Sequence, residues 1–204
     1  MGLMSTWKYR LKRLWHFIWE DDSIWSWLVN IVLAFLLIKF IVYPGLGYVL
    51  STTHPVVAVV SESMEHNGNF DDWWDMQGSW YVKNGIPKGQ FLEFSLKRGF
   101  NKGDIMILYG KKHDDIKVGD VIVFWSAKKE PIIHRVVKKW TEGKDLFFAT
   151  KGEHNSNQIK AATLDETKIS TDQVIGNAVV RIPLLGYIKI WFVSLLGLFG
   201  LNVS

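Results

Sequence analysis

The hydrophobic positions near the start of the chain form one long unbroken run. It extends over Ile24–Tyr43, contains a single charge at Lys39, and is followed by Pro44. Twenty residues of helix rise about 30 Å, which matches the hydrocarbon thickness of a bilayer. The run therefore predicts a transmembrane helix, and we expect Pro44 and the glycines after it to end that helix.

From residue 56 onward the pattern changes to short runs rich in Val, Ile and aromatic residues, separated by turns that contain Gly, Asp and Lys. Such runs predict a mainly β domain. The stretch 65–102 has a different, tryptophan-rich texture and favours one or two short helices inserted into the sheet domain. The predicted strands are 56–60, 104–109, 118–125, 132–140, 146–150 and 173–181.

These patterns divide the chain into four parts. The basic residues before the apolar run favour a cytoplasmic N-terminus and place the β domain outside. The charge at Lys189 leaves few apolar residues after it, which favours a C-terminal segment lying in the membrane interface over a second span. The predicted parts are a cytoplasmic tail at 1–23, a transmembrane anchor at 24–50, an extracytoplasmic β domain at 51–183 and an apolar membrane-associated tail at 184–204.

Composition narrows the chemistry that the chain can perform. The 204 residues include no cysteine, which excludes disulfides, zinc–thiolate sites and a cysteine nucleophile. The net charge of +4 is not gathered into a basic stripe, so nucleic-acid binding is not expected. We predict neither a cofactor nor a metal site.

Two hydroxyls and one histidine are the candidates for chemistry. Ser61 and Ser63 follow the first predicted strand, where a turn would expose them, and a serine becomes a nucleophile once a base removes its proton. His134 lies inside the apolar strand 132–140, and histidine readily exchanges a proton near neutral pH. Taken singly, each has an ordinary explanation as a turn serine or a hydrogen-bonded core histidine. Together they suggest a hydrolase whose substrates are tethered to the membrane.

A third group should orient the imidazole of His134. Glu153 lies in a polar loop after the fifth predicted strand and is either this acceptor or a turn residue. Asp165, Glu166 and Asp172 follow along the chain and are alternatives. The residues alone leave the choice open.

Five motifs stand in a fixed order over about residues 25–190. They are Ser61-Glu62-Ser63-Met64, Gly119-Asp120-Val121-Ile122-Val123-Phe124, His134-Arg135-Val136, Lys151-Gly152-Glu153-His154-Asn155 and Asp172-Gln173-Val174-Ile175-Gly176-Asn177-Ala178-Val179. In this order they resemble the type I signal peptidases, in their archaeal and endoplasmic-reticulum branch, and most of all the archaeal members. One motif would mean little, whereas five in sequence are specific.

The resemblance implies a mainly β, signal-peptidase-like peptidase domain with an N-terminal transmembrane helix and a short, mostly helical insertion. It implies removal of signal peptides from secretory preproteins, after a small-x-small motif, by Ser–His acyl-enzyme chemistry in place of the bacterial Ser–Lys chemistry. The implied site residues are Ser63, His134, Glu153 and Asp165 for catalysis, and Ser61 and Met64 for the oxyanion and substrate.

The same resemblance implies a place in the cytoplasmic (cell) membrane, with the N-terminus inside and the catalytic domain on the extracytoplasmic side. Expected partners are secretory preproteins, membrane lipid and the secretion translocon, and no nucleic acid. Two alternatives remain. One is a self-cleaving repressor-type protease, and the other is a catalytically degenerate membrane-anchored β domain that binds a partner or polymer through exposed tryptophans.

Overall fold

The computed structural model describes residues 3–188, 191 and 194–195, which belong to two compact units that meet in the chain between Val49 and Leu50. The first unit is helical. Its helices make two side-chain contacts near their connection: Ser26 Oγ donates to the carbonyl of Phe17 (2.6 Å) and Asn30 Nδ2 to that of Ile18 (2.9 Å). These bonds satisfy carbonyls that the end of a helix leaves without partners. The elements are α1 (Leu3–Trp19), α2 (Ile24–Leu37), a π-helical turn (Ile38–Val42) and α3 (Tyr43–Val49).

The apolar helix does not end at Pro44, where the sequence predicts its end. It continues over Ile24–Val49, 26 residues that are long and apolar enough to cross a membrane. A proline inside an α-helix lacks an N–H, and its ring collides with the carbonyl four residues earlier. The π-helical turn Ile38–Val42 lies directly before this point, and the Tyr43 N–H after it donates to the Ile38 carbonyl five residues earlier. Such a wider turn is a common way for a helix to accommodate a local irregularity.

The second unit is built on nine strands, and the prediction of a mainly β domain is confirmed. Six of them correspond to the six predicted strands, with ends that differ by three residues or fewer. The strands are β1 (Val56–Ala58), β2 (Ile105–Tyr109), β3 (Val121–Phe124), β4 (Ile132–Glu142), β5 (Asp145–Lys151), β6 (Lys160–Ala161), β7 (Leu164–Asp165), β8 (Ile169–Ser170) and β9 (Val174–Ile182).

Seven of these strands form one antiparallel sheet in the order β1-β2-β9-β3-β4-β5-β8, and β6 pairs with β7 as a separate hairpin. β3 lies between β9 and β4 and is buried along its whole length, which explains why its sequence is continuously apolar. In the β3–β4 register His134 stands opposite Ile122. The histidine is therefore fixed by a central part of the sheet.

The insertion folds into two helices, α4 (Phe70–Lys83) and α5 (Lys88–Leu92), as the sequence predicts. Asn69 caps α4 in a reciprocal capping box with Asp72, which satisfies the first amides of the helix. The aromatic side chains of these helices form a buried cluster against β4 and β5, and burial of such rings contributes strongly to stability. The cluster comprises Trp73, Trp74, Tyr81, Ile86, Phe91, Val137 and Ala149.

The predicted C-terminal tail lies largely outside the described residues. Of 184–204, only 184–188, 191 and 194–195 are described. The tail begins in contact with the sheet domain, because the Leu184 amide donates to Asp104 Oδ1 (3.0 Å) and the Gly186 amide to the Gly103 carbonyl (2.8 Å). Its placement in the membrane interface stays a prediction.

Candidate active site

A serine and a histidine meet beside the end of β1. Ser63 lies in the turn that follows this strand, and its Oγ is 2.9 Å from Nε2 of His134 on β4. His134 is 2% exposed, whereas Ser63 is half-buried. The imidazole is thus fixed while the hydroxyl stays accessible. An unprotonated ring nitrogen at this distance accepts the hydroxyl proton, which is the contact that nucleophile activation requires.

The other ring nitrogen of His134 contacts a buried carboxylate. Its Nδ1 donates to Glu166 Oε1, and Glu166 is fully buried. The carboxylate is held in turn by the Ile159 amide, which donates to Oε2 (2.6 Å), and by the Thr150 hydroxyl at 3.5 Å from Oε1. A carboxylate at Nδ1 fixes the tautomer with a free lone pair on Nε2 and stabilises the imidazolium once it forms.

Glu153, the acid that the Lys-Gly-Glu motif suggests, is buried but does not contact the imidazole of His134. Its carboxylate accepts from His66 Nε2 and from Arg135 Nε. Arg135 and His134 are consecutive residues of β4, so their side chains point to opposite faces of the sheet. Glu153 lies on the face of Arg135, and it therefore cannot reach the histidine that bonds to Ser63.

Asp165 does not contact His134 either, because strand alternation turns it outward. It is exposed on β7, where the hydroxyl and amide of Thr167 donate to it and lower its pKa. Glu166, the next residue, points inward. The β6–β7 hairpin, which lies between the Lys-Gly-Glu loop and β8, decides which side chains of this segment point inward. Of the alternative acids, Glu166 is therefore the one that the structure brings to His134. Asp172 is exposed in a 3-10 turn.

The serine turn presents a second hydroxyl and an amide beside the nucleophile. Ser61 Oγ lies 3.1 Å from Ser63 Oγ and is exposed, and Glu62 between them is also exposed, so its charge is in solvent. The Ser63 N–H makes no hydrogen bond with any described residue. Met64 is 1% exposed, and its sulfur accepts from the Glu153 amide (3.4 Å). Met64 therefore anchors the turn in the core and leaves the polar groups before it accessible.

Comparison with known proteins places this arrangement in a family. No protein-family profile matches the chain. A signal peptidase complex catalytic subunit SEC11 from Lachancea thermotolerans is 36% identical over 120 residues, which cover 54% of this chain and 70% of the relative. SEC11 subunits from Pyricularia oryzae and Colletotrichum graminicola are 30% identical over 122 residues (55% of this chain, 71% of the relative) and 27% identical over 188 residues (87% and 90%).

The chain belongs to the type I signal peptidase family. The predicted family is thereby confirmed, and so is the predicted hydrolase that removes signal peptides. These three relatives are fungal proteins, so the predicted greater likeness to archaeal members stays a prediction. The relatives are catalytic subunits, and the serine and histidine of this chain are in hydrogen-bond contact. Neither observation supports the alternative of a degenerate binding domain. Of the tryptophans in the β domain, Trp73 and Trp74 are buried, whereas Trp125 is exposed.

The signal peptidase has a cavity of about 230 Å³ directly at the serine. Its polar wall includes Ser63, His134 and Asn155. The rest of the wall is mostly small or aliphatic and includes Ala58, Val60, Ile132, Ile133 and Leu164. Lys128 and Glu130 also border the cavity, so its lining offers an aliphatic surface for short apolar side chains beside the serine and two charged groups further along the wall.

A buried lysine holds the loop that completes this cavity. Lys151 Nζ donates to the carbonyls of Gly152 (3.1 Å) and Asn155 (2.6 Å) and lies 5.0 Å from the ring centroid of Tyr81. Burial lowers the pKa of Lys151 from 10.5 to about 8, although the charges of Glu153 and Glu166 oppose this shift. Lys151 does not contact the serine, so in this structure its role is to fix the loop.

His66 is a site residue that sequence reasoning did not single out. Its polar neighbours predict a solvated turn, yet its side chain is 3% exposed and its ring stacks on Trp73 at a centroid distance of 3.8 Å. Arg135, on the other side of Glu153, also donates to the carbonyls of Ser95 and Leu96 in the insertion. The insertion is thereby linked to the strand that carries His134. The tryptophan-rich composition of residues 65–102 was the available signal.

Proposed function

We propose that this chain is a membrane-anchored serine endopeptidase in which Ser63, His134 and Glu166 act as a catalytic triad. The observation that carries the proposal is the 2.9 Å contact between Ser63 Oγ and His134 Nε2, backed by a buried carboxylate at Nδ1. The two side chains are 71 positions apart in the chain, and only the fold brings them together. This geometry matches the arrangement of a serine hydrolase triad, which is defined by contacts and not by chain order.

In acylation, His134 Nε2 takes the Ser63 proton as Oγ attacks the carbonyl carbon of the scissile peptide bond. Glu166 stabilises the resulting imidazolium, which then gives its proton to the leaving amine as the C–N bond breaks. The products are an ester between Ser63 and the signal peptide and a free amino terminus on the mature protein. Water, deprotonated by the same imidazole, hydrolyses the ester and restores the hydroxyl.

The oxyanion that forms during attack needs hydrogen-bond donors in place beforehand, because such preorganised donors supply much of the rate enhancement in acyl transfer. The Ser63 N–H and the Ser61 hydroxyl are the donors that we assign to it. Support comes from the Ser61 Oγ position, 3.1 Å from Ser63 Oγ, and from the absence of any partner for the Ser63 N–H among the described residues.

The substrates that fit this site are secretory preproteins cut after a small-x-small motif. The aliphatic residues of the cavity beside Ser63 support this preference, since they offer an apolar surface to a small side chain such as that of Ala next to the scissile bond. Because the relatives are named as subunits of a signal peptidase complex, we propose that this chain also works as the catalytic subunit of an assembly. Association with the secretion translocon is part of the same proposal.

The helix Ile24–Val49 supports anchoring in the cell membrane, with residues 1–23 in the cytoplasm and the peptidase domain at 51–183 outside. The basic residues before the span favour this orientation. Membrane lipid is then a direct partner of the anchor. Anchoring confines enzyme and preprotein to the same two-dimensional surface, which raises their effective concentration without any new contact.

The test is cleavage of a preprotein by the full chain in lipid vesicles, comparing wild type with Ser63→Ala. We expect the variant to insert normally and to produce no mature product. Ser156→Ala, an exposed serine of the neighbouring loop, is the matched control and should cleave as wild type does. A serine-directed acylating inhibitor should label wild type and fail to label Ser63→Ala. Undiminished cleavage by Ser63→Ala would contradict the proposal.

A further inference from the structure

One polar group at the cavity has no partner. Asn155 lines the cavity together with Ser63 and His134, and its Nδ2 atom is buried without a hydrogen-bond partner among the described residues. A buried donor that makes no hydrogen bond destabilises the folded protein. This amide is already removed from water in the folded protein. A ligand that accepts a hydrogen bond from it therefore binds without the free-energy cost of desolvating the amide.

The backbone of Asn155 is held in place by two hydrogen bonds. Its amide donates to the Gly152 carbonyl (3.1 Å), and its carbonyl accepts from Lys151 Nζ (2.6 Å). Neither bond uses the side chain. The carboxamide is thus presented by a fixed loop, which is the arrangement expected of a group that positions a ligand.

The Asn155 amide lies on the same side of the nucleophile as the base. A Cβ atom placed on Gly152 would lie 2.6 Å from Asn155 Nδ2 and 2.8 Å from His134 Nε2, so both nitrogens border one small space. Because His134 Nδ1 donates to Glu166, its Nε2 carries a lone pair. That lone pair attracts the NH₂ end of the carboxamide and repels the oxygen end, which supports an inward-facing donor.

We propose that Asn155 Nδ2 binds the backbone carbonyl oxygen of the first residue of the mature protein, the residue on the leaving side of the scissile bond. The imidazole must hand its proton to the leaving amine, so the leaving residue passes next to His134 Nε2. The carbonyl of that residue is then the nearest acceptor to Asn155. The oxyanion lies instead towards the Ser61 and Ser63 donors.

This inference rests on the proposed Ser–His mechanism and adds a substrate-binding residue to it. A hydrogen bond to the leaving residue orients the amine towards the imidazolium, so it contributes to binding and to the timing of proton transfer. It also applies to every substrate, since all preproteins have this carbonyl whatever their side chains. Asn155 is accordingly a general positioning contact for the leaving segment.

The experiment compares two substrates with the same signal-peptide sequence before the cleavage site. One continues as a peptide, and the other ends in a methyl ester, whose leaving group has no carbonyl. Asn155→Ala removes the donors and introduces no charge beside His134. We expect kcat/KM for the peptide to fall about tenfold, from the loss of one hydrogen bond, and kcat/KM for the ester to stay at the wild-type value.

Asn157→Ala, at an exposed asparagine of the same loop, is the control and should leave both substrates unaffected. Asn155→Leu is a second variant, uncharged and of similar size, with the same expected pattern. Equal losses on peptide and ester, or no loss on the peptide, would overturn the assignment of Asn155. Ser63→Ala in the same series tests the mechanism separately, because full activity of that variant would remove the proposed function itself.

Discussion

Two buried glutamate–histidine pairs lie on opposite faces of β4, and only one of them adjoins a nucleophile. In both pairs the histidine side chain is 3% exposed and the glutamate is fully buried. His134 has Ser63 at its second nitrogen, whereas His66 stacks on Trp73 and its Nδ1 has no partner among the described residues. The comparison teaches that a buried carboxylate–imidazole pair is not by itself an active site. The hydroxyl at the far nitrogen makes the difference.

Replacing the two histidines separately should give the largest difference in cleavage rate between the two pairs. We expect His134→Ala to lower the rate of preprotein cleavage by about 10³-fold or more, as severely as Ser63→Ala, because residues of one catalytic unit are not additive. His66→Ala should keep activity within about tenfold of wild type, since it removes packing and one hydrogen bond. Quantified mature product from vesicle assays measures both. Near-normal cleavage by His134→Ala would contradict its role as the proton acceptor.

The two glutamates should separate catalysis from stability. Glu166→Gln is expected to lower kcat by about 10²–10⁴-fold, because an amide at Nδ1 favours the wrong tautomer and does not stabilise the imidazolium. Glu153→Gln leaves Arg135 buried without its counter-charge, which should cost about 3–5 kcal/mol of unfolding free energy. Steady-state kinetics and denaturant unfolding in detergent distinguish the two outcomes. Equal kinetic defects would show that Glu153 also supports catalysis directly.

The sequence predicts the longer strands well and the acid poorly, and the reasons are physical. Runs of β-branched and aromatic residues over four or more positions give a readable signal, as in β4 and β9. The strands β6, β7 and β8 have two residues each and show no periodicity, yet the β6–β7 hairpin decides whether residue 165 or 166 points inward.

The nucleophile and the base could be predicted because each stands in a distinctive local pattern, a hydroxyl after an apolar strand and a histidine inside one. Their contact depends on strand order, which local patterns do not contain. His66 and Asn155 had only polar neighbours, and polar loops are usually solvated. The continuation of the helix through Pro44 depends on a π-helical turn, for which the apolar run carries no signal.

A methyl group added at Gly152 tests how closely His134 and the loop approach each other. In Gly152→Ala the new Cβ would lie 2.6 to 2.9 Å from Asn155 Nδ2, His134 Nε2 and the Ser63 carbonyl, so at least one of them must move. Since small misplacements of reacting groups are costly, we expect kcat/KM to fall about 10- to 100-fold. Gly89→Ala, where a Cβ meets nothing within 4 Å, is the control. Wild-type kinetics for Gly152→Ala would contradict the close approach.

The last and smallest expected effect concerns stability and comes from Lys151, whose charge interacts with those of both glutamates. Its pKa is about 8 in the folded protein and 10.5 as a reference, so between these values the unfolded chain binds more protons. Stability attributable to this group therefore rises with pH across that window, by up to about 3 kcal/mol, and the burial cost is present in full below pH 8. The difference in unfolding free energy between wild type and Lys151→Met, measured at pH 7.5 and pH 10, should show this rise. A difference independent of pH would place the lysine in contact with water.

The unbroken helix through Pro44 has a consequence for the lipid environment. Its 26 residues measure about 39 Å along the axis, while the hydrocarbon layer of a bilayer is about 30 Å thick. In the proposed transmembrane orientation, this surplus would be absorbed by tilting the axis or by projecting about an extra turn and a half among the headgroups. A transmembrane anchor of this length would match bilayers of different thickness by tilting to different degrees.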